Sequence, residues 1–147
     1  NDMAQNTIRQ LLSTTIILFM CTLSYAQEKL HVEEIFTTYG YSDGCTMVEI
    51  NDADIRGYHM DVFKSISYTK NGKEITSILL KDRPKAKKIR EIIHEGKVQS
   101  GCYMMAPTKK GRSRFIVYAF TSDESGAIIY TESNCTIDDI LQICYNK

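Results

Sequence analysis

The chain has 147 residues, with 18 basic and 18 acidic side chains, five cysteines, nine tyrosines and no tryptophan. A net charge of zero argues against a dedicated nucleic-acid binder, which carries a basic excess. Length and composition fit one globular domain with its own core, with no low-complexity segment and no linker dividing it.

The first element is a short apolar run. Arg9 supplies a positive flank, residues 11–23 form the apolar core, and Ser24-Tyr25-Ala26 presents small residues at the two positions a signal peptidase reads. Met3 is the expected start, and cleavage is expected after Ala26, making residues 1–26 a secretory signal and 27–147 the mature domain. A membrane span needs about 20 apolar residues, and this core is shorter and diluted by Ser13, Thr14, Thr15 and Thr22. No transmembrane segment is therefore expected after cleavage, a retained anchor being the rival reading, and the expected compartment is the periplasm or cell envelope. Cys21 lacks the small neighbours of a lipidation site.

Val32, Ile35, Phe36 and Tyr39 recur at helical spacing, with Gly40 as the stop. Residues 45–51 alternate as a strand, and "NDADIRG" reads as a loop or short helical turn. Residues 63–70 look extended. Asn71-Gly72 is a strong hairpin signal, with 74–80 returning antiparallel. Asp82 and Pro84 then open an expected helix with Ala86, Ile89, Ile92 and Ile93 inward, ended by Gly96. Strands follow at 100–106, 112–121 and 127–133. Asn134 or Thr136 opens a last helix whose Ile137, Ile140, Leu141 and Cys144 make one stripe. "EEIFTTYG" echoes "REIIHEG", and "GCTM" echoes "GCYM", which suggests an internal α-β-β-β duplication. The expected fold is α+β, a mainly antiparallel sheet of five to six strands with helices packed on one face.

Four cysteines remain after cleavage: Cys45, Cys102, Cys135 and Cys144. An even number in an exported domain favours disulfides. The duplication would bring Cys45 and Cys102 together as facing residues, a separation a bridge can span. The alternative is that all four are free and buried as small hydrophobes, which suits Cys144 best. No C-x-x-C, nucleophile elbow or phosphate-cradling glycine pattern is present, so no catalytic residue is assigned. His31, His59 and His94 lack metal-ligand spacing, and Asp52, Asp54 and Asp61 lack the calcium-loop register, so no metal or cofactor is expected. His59, beside Tyr58, is the histidine of most interest. Residues 81–114 carry eleven basic side chains against Asp82, Glu91 and Glu95. This is either a solvated face or a surface for anionic lipid or glycan, with Lys85, Lys88, Arg112 and Arg114 as candidates.

"EEIFTTYGYSDGCTMVEI" and, after the central segment, "RFIVYAFTSDESGAIIYTESNCTIDDILQI" resemble a group of small exported proteins of unknown function from Gram-negative bacteria. In that group a helix leads into a short strand, and a late hairpin leads into a terminal helix. The resemblance covers most of residues 30–144 and implies an envelope setting with no assigned active or binding residues. The function expected is a non-enzymatic envelope module that binds or scaffolds, with an envelope protein or glycan as partner. An anionic-surface binder is the alternative, and a thiol enzyme using a cysteine or His59 is the third reading.

Overall fold

The computed structural model describes residues 1–21 and 29–146, with side chains described for 1–13 and 29–146. The expected cleavage point after Ala26 lies outside the described residues. Helix α1 (Asp2–Cys21) exposes its first twelve side chains, and no helix among the described residues is long and apolar enough to cross a membrane.

The domain is one six-stranded antiparallel sheet with helices, in keeping with the α+β expectation. Helix α2 (Val32–Tyr39) precedes strands β1 (Cys45–Ile55) and β2 (Tyr58–Tyr68). Helix α3 (Gly72–Leu79) and a 3-10 turn (Arg83–Lys85) lead to β3 (Lys87–His94), β4 (Lys97–Met105), β5 (Ser113–Phe120) and β6 (Gly126–Ser133). Helix α4 (Ile137–Tyr145) closes the chain. The strand order is β1-β2-β6-β5-β4-β3, so β1 and β3 are the edges and the first hairpin joins the rest through β2 against β6.

Alternation along the strands sends side chains to two cores. Ile66, Tyr103, Ile116, Tyr118, Ile128 and Tyr130 meet Val32, Ile35 and Phe36 of α2 and Ile75 and Leu79 of α3. Their strand neighbours Cys102 and Phe115 face the other way, with Met60, onto Ile140 of α4. Helices on one face therefore describes α2 and α3 only; α4 crosses to the opposite face. The crossing follows from chain geometry. Ser133 ends β6, and its Oγ accepts from the Cys135 amide at 3.1 Å. The buried Cys135 side chain then leads the chain over the sheet.

Two expectations fail together. Asn71-Gly72 is no hairpin: Asn71 has φ +63 and opens α3, and Ile75, Ile78 and Leu79 keep helical spacing toward the core. Gly72 is required by proximity, since a Cβ there would sit 2.3 Å from the Asp123 carbonyl oxygen. The tight hairpin turns are instead Arg56-Gly57 and Glu95-Gly96, with φ positive at both residues as mirror-image turns demand. The expected helix from Asp82 to Gly96 is the 3-10 turn and then β3. Pairing with β4 outweighs the apparent helical spacing of its four isoleucine and alanine positions. The duplication goes with it, because "EEIFTTYG" is helical in α2 while "REIIHEG" is strand and turn.

Asp82 does cap a helix, but a distant one. Its carboxylate accepts from the His31 amide at 2.9 Å and the Val32 amide at 2.7 Å, satisfying orphan donors at the start of α2.

Candidate functional site

Residues opposite one another across an antiparallel ladder share a face, so the register lays out the surface beneath α4 as three rungs. One runs Ile50, Phe63, Thr131, Phe115, Met104. The next runs Val48, Ser65, Ile129, Val117, Cys102, Arg90. The last runs Thr46, Ser67, Ala127, Ala119, Ser100, Ile92. Nine residues of α helix span only about 14 Å, so α4 covers the first rung and leaves the third, made mostly of small residues, open.

Helix α4 is fixed at both ends. Thr136 accepts from the Asp139 amide at 3.2 Å while its own amide donates to the Asp139 carboxylate at 2.8 Å, a reciprocal cap. At the other end Arg56 Nη1 donates to the Ile143 carbonyl at 2.9 Å, and the Arg90 guanidinium lies 4.4 Å from the centre of the Tyr145 ring. Both cations suit the negative end of the helix dipole.

Between this helix and the rungs lies a cavity of about 400 Å³. Met60, Phe63, Val117, Ile129, Ile140 and Ile143 give it apolar walls, and Arg56 is the one charged residue lining it. Two of its polar atoms have no partner among the described residues, the Thr131 Oγ1 and the Tyr145 hydroxyl, both buried. Thr131 is 3 % exposed. A buried hydroxyl without a partner costs free energy, and Thr131 and Tyr145 bring two of them to the lining of an otherwise apolar cavity. Burial pushes the Tyr145 hydroxyl up to about 12 and the Cys102 thiol up to about 12, and raises the Cys144 thiol as well. These groups keep their protons near neutral pH, which suits donating hydrogen bonds and not nucleophilic attack.

The sequence candidates scatter. Cys45 packs on the α2 side of the sheet and Cys102 on the α4 side, in strands four positions apart, about 19 Å by strand spacing. The expected Cys45–Cys102 bridge does not form; Cys45, Cys102, Cys135 and Cys144 are all free thiols. Cys102, Cys135 and Cys144 instead share the core under α4, a convergence that only the inward stripe of α4 hinted at. Arg114 is buried and donates from Nε to the Ala106 carbonyl at 2.6 Å, so it is no surface cation. Arg112 pairs with Asp61 at 2.8 Å. Lys85 and Lys88 lie beyond β4, at the β3 edge, and Lys88 stands 3.6 Å from Glu91. The four do not form one patch. Glu91, 6 % exposed at its side chain, also holds Arg83 at 2.8 Å and the Tyr103 hydroxyl, and that hydroxyl keeps its carboxyl below the usual range.

His59 sits where β2 bulges against β6 around Asp61. Its Nε2 is 2.9 Å from Asp52 and its Nδ1 2.9 Å from Asp54. A carboxylate at each nitrogen favours the doubly donating imidazolium and raises the pKa of the His59 ring above its ordinary value, the Asp54 hydrogen bond contributing most. A larger groove of about 900 Å³ runs between α3 and the β3–β4 tip, but Lys73, Lys97, Glu95 and Asp123 give it mixed charge and solvated walls. The cavity under α4, apolar with a few convergent polar groups, better fits a ligand site.

No curated protein and no solved structure matches the chain. A family model matches residues 19–144, nearly the whole of it. By that match the chain belongs to the family of unknown function DUF6108, in agreement with the resemblance drawn from its sequence.

Proposed function

We propose that this protein is an exported, non-enzymatic binding module of the cell envelope, and that it holds a small, largely apolar ligand in the cavity beneath α4. The cavity carries the reading: about 400 Å³ lies within the range of ligand pockets, roughly 300–1,000 Å³. Its walls are apolar, and its thiols are held protonated. The export part rests on the tripartite pattern of residues 1–26.

The test uses N-phenyl-1-naphthylamine, a neutral dye that brightens in apolar surroundings. Saturable brightening with one site, abolished by Ala127→Phe in a variant with unchanged circular dichroism, is the expected result. Fractionation of the native host should recover a mature chain beginning at Gln27 outside the cytoplasm. A dye that never saturates, or saturates equally in A127F, removes the ligand site; native protein in the cytosol with its first residues intact removes the export.

A further inference from the structure

We infer that the ligand of this cavity is a single-chain amphiphile with an anionic oxygen head, a fatty-acid-like carboxylate. The inference rests on the cavity being a ligand site and adds the class of molecule it takes. Three observations lead to it. The lining contains one cation, Arg56, and no carboxylate, so an anionic head is favoured and a cationic one is not. The Arg56 guanidinium gives one N–H to the Ile143 carbonyl among the described residues, and a guanidinium carries five N–H donors.

Second, Thr131 and Tyr145 line the cavity, their buried hydroxyls have no partner among the described residues, and a hydroxyl donates readily to an oxygen acceptor. A hydrocarbon alone would leave both unsatisfied. Third, the cavity continues from the apolar rung at Phe63 onto Ala119 and Ala127, a floor of small side chains that admits an extended chain. At Arg56 and Ile143, which line both, the cavity adjoins a second hollow formed with Tyr58, Gln142 and Asn146 that can take a solvated head group. The hydrocarbon tail thus starts beneath α4 and runs out over the small residues of the third rung, and the head is shared between Arg56 and the hydroxyls.

The experiment titrates the full chain with decanoate and, separately, with decanol, each below its aggregation concentration, reading displacement of N-phenyl-1-naphthylamine. Decanoate should bind at least threefold tighter than decanol, the size expected of an exposed charge pair. Arg56→Gln keeps a donor for Ile143 but removes the charge, and should bring decanoate down to the decanol level. Thr131→Val should weaken both by about tenfold. Bound decanoate should also slow modification of Cys144 by N-ethylmaleimide while leaving Cys45 unchanged, a readout independent of any substitution. Equal binding of decanol and decanoate, or an Arg56→Gln variant with unaltered preference, overturns the anionic class while dye binding keeps the ligand site. Loss of dye and both chains alike overturns the site itself.

Discussion

Replacing Asp82 by alanine should be among the most damaging single changes in this domain. Asp82 is 3 % exposed, and its two carboxylate oxygens accept the His31 and Val32 amides at 2.9 and 2.7 Å. Each hydrogen bond to a charged group contributes about 1.5–3 kcal/mol. The two share one carboxylate and are not fully additive, so D82A should lose about 3–4 kcal/mol. Asp82→Asn keeps one acceptor oxygen but turns an NH2 toward an amide donor, and should lose about 2 kcal/mol by the same reckoning. With a urea slope of about 1.5 kcal/mol/M, the D82A midpoint should fall by about 2 M. Amide exchange at His31 and Val32 should rise in both variants. Helix α2 lies on the sheet face opposite the cavity, so dye affinity without urea should not move. A D82A midpoint within about 0.3 M of the parent, which by that slope is about 0.5 kcal/mol, would refute the claim that this carboxylate holds α2 in place.

Other expectations follow from the same geometry. The Asp54 and Asp52 carboxylates raise the His59 imidazole above its ordinary value. Their support of the β1–β2 hairpin is therefore full below about pH 6.5 and lost as pH rises through the raised value. An NMR titration of the His59 ring should show this elevation and lose most of it in Asp54→Asn; an unchanged midpoint would count against the clamp. Gly72→Ala should destabilise by about 1–3 kcal/mol in thermal unfolding, although alanine favours helix, because its Cβ meets the backbone of residues 123–124; a raised midpoint would contradict that contact. Non-reducing mass analysis of native protein should find no Cys45–Cys102 bridge. Cys102 and Cys135, both buried, should react with maleimide only after unfolding; rapid labelling of either would mean that α4 does not cover them.

Much of the architecture was legible because period and end signals agreed. The α2 stripe of Val32, Ile35 and Phe36 reads directly as a buried helical face, and of the two caps the sequence offers for α4, Asn134 and Thr136, it is Thr136 that caps it. The central third misled for physical reasons. Asn-Gly usually supplies a hairpin turn, but here Gly72 serves close packing against residues 123–124, and the turns fall to Arg56-Gly57 and Glu95-Gly96. In β3 the spacing of Ile89, Ile92 and Ile93 fits a helix, because bulges against β4 between Lys88 and Arg90 and between Ile92 and Ile93 break the alternation that would mark a strand. The candidate site was illegible because it depends on cross-strand register: Thr131, Ala127 and Val117 become neighbours of Tyr145 only once the strand order is known.

The strand order carries a kinetic consequence. The hairpin made first, β1 with β2, finds its sheet neighbour only in β6, the last strand to leave the ribosome. Until residue 133 arrives, the inner edge of β2 stays open and α2 has only part of the surface it covers. Long-range pairing of this kind slows folding and exposes strand edges meanwhile. A chain cut short between β5 and β6 would leave two unjoined pieces, β1–β2 and β3–β4–β5, with bare edges.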